Sequence, residues 1–335
     1  MPAGRQGIKL ARMARDEALS WRPIERGDVE GWSALIAAVQ VADHDREYYG
    51  VEGLLDLFQD PYRDFPRGSV GIFDGTAIVG YGTLMSRTAA DPEHQMRYWG
   101  AVHPEYRGRG LGGRLLDWAE SAAVPLHRDR YPGRPLALST YTLSGNREAL
   151  ALHEAHGYRP VRWFHGMARD LSAPLPEAAE PAGFEIVGLT PDAWEHARLL
   201  RNDAFRDHWG STEMTPESWA HFMAVGAYRS GYSFIAYGGD QPLGFVIGHE
   251  YEGVTEATGH RDAYIALVGT GRAARKRGVA FGLLSRVLAA AKAAGCDTAS
   301  LGVDADSPTG ALGLYQRAGF TMEHTSVTHL KSLPG

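Results

Sequence analysis

The sequence Tyr264-Ile-Ala-Leu-Val-Gly-Thr-Gly-Arg-Ala-Ala-Arg-Lys-Arg-Gly-Val-Ala280 joins a short apolar run to a basic, glycine-containing turn. Apolar residues then recur with the spacing of a helix that buries one face: Ala280, Leu283, Leu284, Val287, Leu288 and Ala291. Gly295 follows at the position where a left-handed cap ends such a helix. The stretch therefore predicts a strand, a turn and an amphipathic helix in direct succession.

A strand, turn and helix of this kind are suited to binding an anion. The first N–H groups of a helix have no partner within the helix, and the helix dipole adds partial positive charge there. Arg275, Lys276 and Arg277 supply full charges that pair with phosphate oxygens. Gly278 and Ala280 have little or no side chain, so a diphosphate can lie against the backbone. We therefore predict a phosphate-bearing ligand on this turn.

The same pattern occurs once more, earlier in the chain. The run Tyr98–Val102 leads into His103-Pro-Glu-Tyr-Arg-Gly-Arg-Gly-Leu-Gly-Gly113 and then into a second amphipathic segment. Three turn positions match at a constant offset of 168 residues (275 − 107 = 278 − 110 = 280 − 112). Downstream, Leu-His153-Glu-Ala-His-Gly-Tyr158 matches Leu-Tyr315-Gln-Arg-Ala-Gly-Phe320 at an offset of 162 (315 − 153). The chain therefore contains an internal repeat, and we predict that each copy adopts the same fold.

These motifs resemble the GCN5-related N-acetyltransferase (GNAT) superfamily in a tandem arrangement. The resemblance rests on an Arg-x-x-Gly-x-Gly/Ala turn after a strand and a Leu-Tyr-x-x-x-Gly-Phe ending, and it covers nearly the whole chain from about Ser20 onward. It implies an α/β (mixed α+β) fold class with two tandem GNAT domains. Each domain is then a mixed, mostly antiparallel twisted sheet flanked by helices.

Composition marks the expected domain boundaries. Residues 1–17 are basic with little apolar content, which predicts a mobile N-terminal tail. Residues 172–183 are rich in proline, alanine and acidic residues without periodicity, which predicts a semi-stiff linker. We therefore expect the first domain at residues 18–171 and the second at residues 184–335.

Two shorter segments carry further predictions. Ser307 followed by Pro308 has the form of a helix start, with a capping hydroxyl before proline at the first helical position. Charged residues crowd the loop from Asp43 to Glu47, which is either a solvated loop or, as the resemblance implies, a border of the acceptor site. The spacing of its carboxylates around one histidine does not predict a metal site.

Length, charge and cysteine content restrict the classes of function. A chain of 335 residues allows two domains with a core in each, and a net charge of −6 argues against general nucleic-acid binding. We find no apolar run of the length that spans a bilayer, so no membrane partner is expected. The single cysteine, Cys296, excludes an internal disulfide and makes a reducing cytoplasm the expected compartment.

The resemblance implies acetyl-CoA as co-substrate, with its diphosphate on each turn and its pantetheine arm along the preceding strand. In the second domain the implied binding residues are Val268, Gly269, Thr270, Arg275, Lys276, Arg277, Gly278 and Ala280. In the first domain they are Val102, Arg107, Gly108, Arg109, Gly110, Gly112 and Gly113. An acceptor amine would then attack the thioester carbonyl directly.

Two proton-transfer roles remain to be assigned. Tyr315 matches the tyrosine that family members use to protonate the departing thiolate, although it could equally be a core aromatic residue. The first domain has His153 at that position, which favours the second domain as the catalyst. Family members often place a basic glutamate eleven residues before the arginine of the turn, where this chain has Tyr264. Asp262, Glu250 and Glu252 flank the second-domain cleft in sequence and are then the candidate bases, acting through water. Each is also explicable as a surface carboxylate.

The predicted function is acetyl transfer from acetyl-CoA to a primary amine, with a small molecule as acceptor. A protein or peptide amine is the alternative acceptor, and it would require an open acidic groove beside the thioester. The other alternative is a non-catalytic acyl-CoA sensor, which requires Tyr315 to point into the core and no cleft to reach Val268.

Overall fold

The computed structural model describes residues 19–44, 49–86, 92–176, 183–307 and 309–334. The chain forms two compact units. The first unit comprises residues up to Tyr141, residues Asn146–Arg159 and the chain end from His329, and the second comprises Thr142–Gly145 and Pro160–Thr328. The predicted N-terminal tail lies outside the described residues, as do positions 45–48 of the charged loop and positions 177–182 of the predicted linker.

In the first unit the described strands are hydrogen-bonded in the order β1-β2-β3-β4-β5. All its neighbouring pairs are antiparallel except β4 and β5, which are parallel. Its elements are β1 (Ser20–Arg22), α1 (Val29–Asp43), α2 (Val51–Leu57), α3 (Phe65–Gly68), β2 (Ser69–Asp74), β3 (Ala77–Ser86), β4 (His94–Val102), α4 (Leu111–Arg130), β5 (Leu136–Leu143) and α5 (Arg147–Ala155).

Both faces of this sheet are covered, so its central strand β3 is buried along most of its length. On one face α4 contributes Leu111 and Leu115 to a core that includes Tyr98. On the other face α1 contributes Trp32, which packs against Tyr81. A two-sided sheet of this kind explains the nearly continuous apolar sequence of β3.

The second unit repeats this plan with the strand order β12-β6-β11-β10-β9-β8-β7. The pair β10 and β11 is parallel. Its elements are β6 (Arg159–Asp170), β7 (Glu185–Gly188), α6 (Trp194–Ala204), α7 (Pro216–Ala224), β8 (Tyr228–Gly238), β9 (Gln241–His249), α8 (Glu252–Thr258), β10 (Asp262–Thr270), α9 (Val279–Ala293), β11 (Thr298–Asp304), α10 (Ala311–Arg317) and β12 (Thr321–Leu333). The observed fold confirms the predicted class of mixed, mostly antiparallel sheets flanked by helices.

The compact units do not follow the boundaries expected from sequence. Strand β6 precedes the predicted linker, yet it pairs antiparallel with β11 from Asp170 opposite Thr298 to Phe164 opposite Asp304. It therefore belongs to the second unit, whereas the last residues of the chain belong to the first. Backbone hydrogen bonding between strands decides this division, and chain order does not reveal it.

The ends of two helices show one correct and one wrong prediction. Gly295 follows α9 with a φ of 80°, as a left-handed cap requires. The last helix does not start at Ser307: α10 begins at Ala311 after Gly310, which has a φ of 69°. The Ser307 hydroxyl instead bonds with that of Thr309, and the backbone N–H groups of Asp306 and Ser307 donate to Asp304. Pro308 lies outside the described residues. None of the described helices is long and apolar enough to cross a membrane.

Candidate active site

The site lies where two parallel strands of the second unit separate. Strands β10 and β11 pair only from Asp262 opposite Thr298 to Ile265 opposite Leu301. Strand β10 has a bulge against β9 between Ile265 and Leu267, which leaves Ala266 without a partner in that ladder. Beyond this point β11 remains paired with β6, so a gap opens between the two strands.

A cavity of about 750 Å³ occupies this gap. Residues 265–270 of β10 form one wall and residues 302–304 of β11 form the other. The start of α9, the end of α6 and residues of α10 also line the cavity. A volume of this size suits a small-molecule ligand or the reactive arm of a larger one.

The turn before α9 has the backbone form of an anion site. Lys276 and Gly278 both adopt left-handed conformations, with φ values of 63° and 82°. Helix α9 starts at Val279. At its start, the N–H of Gly282 donates to the carbonyl of Gly278, one turn earlier, at 2.9 Å. The N–H groups at the start of the helix therefore lack an acceptor one turn earlier, and Gly278 has no side chain to cap them.

The structure brings most of the predicted second-domain residues to this cavity. The lining includes Val268, Gly269, Thr270, Arg275, Lys276, Gly278 and Ala280. Arg277 is not part of the lining. Arg275 Nη2 donates to the carbonyl of Ala204, at the end of α6, over 3.1 Å. Arg275 thus fastens the turn to a helix C-terminus, where a cation is favourable, in addition to lining the cavity.

Tyr315 lies on α10 and lines the same cavity. Its side chain is also part of the core, in an edge-on contact with Phe320 at a centroid distance of 6.1 Å. Burial raises the pKa of the Tyr315 hydroxyl well above its ordinary value of 10, so this group keeps its proton at neutral pH. The cavity also reaches Val268, whereas the acyl-CoA sensor alternative requires that no cleft reach this residue.

Glu250 and Asp262 lie outside the cavity lining, so a role for either as a base acting through water stays a prediction. Glu250 accepts hydrogen bonds from Arg261 Nε at 2.7 Å and from the Tyr232 hydroxyl at 3.0 Å. The hydrogen bonds from Arg261 are the main reason that the pKa of Glu250 lies below its ordinary value. Asp262 accepts hydrogen bonds from Thr298 Oγ1 at 2.6 Å and from the hydroxyl of Ser300. Both carboxylates hold the scaffold together.

Several lining residues were not predicted from sequence. Phe164 reaches the cavity from β6, and its ring lies 6.5 Å from that of Trp209. Trp209 belongs to the segment after α6, which also contributes His208. The pairing of β6 with β11 could not be read from local sequence. His208 and Trp209 could have been suspected from sequence, because residues 205–209 are rich in aromatic residues and histidine and directly follow an amphipathic helix.

The first unit keeps the turn backbone but has different surroundings. Gly108 and Gly110 adopt φ values of 69° and 75°, matching Lys276 and Gly278. Arg107 forms a two-pronged ion pair with Asp43, with Nη1–Oδ1 and Nη2–Oδ2 distances of 2.5 and 2.9 Å. The amide of Asn146 also donates to Asp43, over 3.2 Å.

Side chains also fill the first unit next to this turn. The phenol of Tyr98 lies directly over Gly100, where even a Cβ atom would overlap its hydroxyl. A Cβ at Gly112 would lie 2.9 Å from Cδ2 of Leu152. His153 is buried, and burial together with the nearby histidines lowers its pKa to about 4. The counterpart of Tyr315 in this unit is therefore a neutral core histidine at pH 7.

Both repeats match models of the same family. A model of the Acetyltransferase (GNAT) family matches residues 194–320, and a model of the Acetyltransferase (GNAT) domain matches residues 68–160. The mycothiol acetyltransferase of Salinispora arenicola is 30% identical over 335 residues, covering 96% of this chain and 97% of that protein. The mycothiol acetyltransferase of Paenarthrobacter aurescens is 31% identical over 236 residues, covering 68% of each.

Solved structures show the same architecture. A GCN5-related N-acetyltransferase from Sphaerobacter thermophilus superimposes with a TM-score of 0.77 at 28% identity, covering 95% of this chain and 97% of that one. A tandem GNAT protein from the clavulanic acid biosynthesis pathway superimposes with a TM-score of 0.68 at 18% identity, covering 95% and 99%. The second likeness concerns the fold alone.

Proposed function

Because this chain belongs to the GCN5-related N-acetyltransferase family, we propose that its second unit transfers the acetyl group of acetyl-CoA to a small-molecule primary amine. The protein is an acetyl-CoA-dependent N-acetyltransferase. The observation that carries the assignment to the second unit is one cavity whose lining joins the anion-binding turn, the gap after Ile265 and Tyr315.

The lining of the cavity suits each part of acetyl-CoA. The left-handed turn and the free N–H groups at the start of α9 suit the diphosphate, and Lys276 adds a positive charge. The edge of β10 from Val268 to Thr270, which does not pair with β11, suits the amide groups of the pantetheine arm. Ala266, the extra residue of the bulge, lines the cavity, and its amide is suited to donate to the thioester oxygen.

The chemistry is a direct displacement. The amine nitrogen forms a bond to the thioester carbonyl carbon, and the carbon–sulfur bond breaks. Tyr315 keeps its proton at neutral pH and is placed to give it to the departing thiolate. The oxygen charge that develops on the carbonyl is stabilised by backbone donors, an effect that is large in a cavity with little water.

The shape of the cavity supports a small acceptor. Its walls include the aromatic rings of Phe164, Phe205, Trp209 and Phe281, which do not form the open acidic groove that a peptide acceptor would need. Relatives that cover most of the chain are named mycothiol acetyltransferases. Amines related to mycothiol are therefore the first acceptors to test.

We assign acetyl-CoA binding to the second unit alone, so the chain binds one molecule. In the first unit Asp43 neutralises Arg107, and Leu152 packs tightly over Gly112. The Tyr98 phenol occupies the space over Gly100, the counterpart of the cavity-lining Val268 (268 − 168 = 100). These contacts leave the first turn as a structural element.

The proposal is tested by following thiol release from acetyl-CoA across a panel of amines. We compare the wild type with Tyr315→Phe, and we use His153→Phe in the first unit as the matched control. Loss of a general acid lowers the rate by about 10²-fold or more, so Tyr315→Phe should slow transfer while acetyl-CoA affinity changes little. Full activity in Tyr315→Phe together with lost activity in His153→Phe would assign catalysis to the other unit.

A further inference from the structure

The acceptor amine requires a base, and the cavity lining offers few candidates. A free alkylammonium has a pKa of roughly 10, so an amine must lose a proton before it attacks at neutral pH. The titratable side chains among the described lining residues are Arg201, His208, Arg275, Lys276, Asp304, Tyr315 and Arg317. Arginine, lysine and tyrosine hold their protons at this pH. Only Asp304 and His208 remain.

Asp304 is already engaged by its neighbours. Its Oδ2 accepts from Arg162 Nη2 at 2.8 Å and from Arg162 Nε at 3.0 Å. Its Oδ1 accepts from the backbone N–H of Asp306 at 3.0 Å. These charge-assisted bonds engage both carboxylate oxygens and tie them to the scaffold. Asp304 therefore orders the turn that follows β11.

Backbone hydrogen bonds fix the position of His208, which lines the cavity. Its N–H donates to the carbonyl of Phe205 at 3.0 Å, and its carbonyl accepts from Ser211 N at 3.0 Å. The imidazole ring lies 4.6 Å from the ring of Phe205. Among the contacts of the described residues, no hydrogen bond occupies either ring nitrogen of His208. The cavity is thus lined by a half-buried imidazole whose ring nitrogens carry no hydrogen bond from the described residues.

The surroundings of His208 favour its neutral form. Burial is the largest influence and lowers the pKa of the imidazole below its ordinary value of 6.5. Arg275 and Arg201 lower it further, whereas Asp304 and Asp207 act in the opposite direction. A neutral imidazole is the form that accepts a proton, and this form then predominates at pH 7.

We propose that His208 is the general base that removes a proton from the acceptor ammonium in the cavity of the second unit. This inference rests on the proposed acetyl transfer. A ring nitrogen of His208 takes one N–H proton, and the freed lone pair forms the bond to the thioester carbon. The carbon–sulfur bond then breaks, and the sulfur takes the proton of Tyr315. The proton on His208 passes to solvent after the product leaves, and a second amine proton restores the Tyr315 hydroxyl.

The test compares His208→Gln and His208→Ala with the wild type in the full chain. His221→Gln, which changes a half-buried histidine of α7 outside the lining, is the matched control. At pH 7 we expect kcat/KM for the amine to fall about 10²-fold or more, the usual contribution of a general base. The dissociation constant of acetyl-CoA and the melting temperature should stay as in the control.

The pH profile separates a base from a residue that only shapes the cavity. Near pH 10 about half of the amine is already neutral without a base, so the deficit of His208→Gln should shrink to less than about 10-fold. Added imidazole should restore part of the rate of His208→Ala. A wild-type rate in His208→Gln, or a deficit that is equal at pH 7 and pH 10 without imidazole rescue, would overturn the inference. Absence of transfer in the wild type with every amine would instead refute the proposed function.

Discussion

Replacing Gly278 with alanine tests the anion-binding turn in a way that has a built-in control. Gly278 has a φ of 82°, and its counterpart Gly110 in the first unit has a φ of 75°. A Cβ added at either position would meet no atom within 4 Å. The only cost to the folded protein is therefore the left-handed conformation of an alanine, about 1–2 kcal/mol at each site.

The two substitutions should consequently destabilise the protein to the same degree. For units of this size, 1 kcal/mol lowers the melting temperature by about 2–4 °C. The effect on binding should differ, because only the Cβ at position 278 enters the space that we assign to the diphosphate. We expect Gly278→Ala to weaken acetyl-CoA binding about tenfold or more, equivalent to about 1.4 kcal/mol, and Gly110→Ala to leave it unchanged.

Isothermal titration with acetyl-CoA and thermal unfolding of both variants provide the assay. Equal loss of acetyl-CoA affinity in the two variants would show that both turns bind the diphosphate. Loss only in Gly110→Ala would place the ligand in the first unit. Either result would refute the reasoning. A melting temperature that falls in only one variant would show that the two turns do not share a backbone conformation.

Two further predictions concern a charge in the turn and a charge in the scaffold. Lys276→Gly removes a left-handed non-glycine residue (φ 63°) and should raise the free energy of unfolding by up to about 1 kcal/mol. The same change should weaken acetyl-CoA binding several-fold in low salt. Unchanged affinity would exclude a contact between Lys276 and phosphate. Glu250→Gln should lower the free energy of unfolding by about 2 kcal/mol at pH 7 without changing kcat. Because the folded-state pKa of Glu250 lies below its ordinary value of 4.5, this deficit should shrink as the pH falls through that lower pKa. A constant deficit from pH 7 to pH 3 would contradict the ion-pair explanation.

The turn and the helix after it were predictable because their determinants are local. Residue size and charge from Arg275 to Ala280, followed by apolar residues at helical spacing, restrict the backbone within a few residues. The repeat then located Tyr315 on α10 by its constant distance from the Gly-Phe ending. The left-handed conformation of Lys276 was not predicted, because glycine is the residue that usually marks such a position.

The other cavity walls depend on pairings between distant parts of the chain. Phe164 reaches the site only because β6 pairs with β11, whose Asp304 lies 140 residues later (304 − 164). The two carboxylates predicted as bases lie outside the cavity lining for a related reason. Glu250 and Asp262 are close in sequence to β10, but Arg261 and Thr298 bind their carboxylates away from the cavity. Local sequence does not show which partner a carboxylate will find.

Hydrogen exchange of the full chain with saturating acetyl-CoA tests the central claim most directly. Bound diphosphate should slow exchange of the backbone amides in residues 276–281 and along β10 from Val268 to Thr270. The matching segments of the first unit, residues 108–113 and 100–102, should exchange as they do without acetyl-CoA. Protection of the first-unit segments alone, or of neither turn at concentrations that support turnover, would contradict the placement of acetyl-CoA in the second unit.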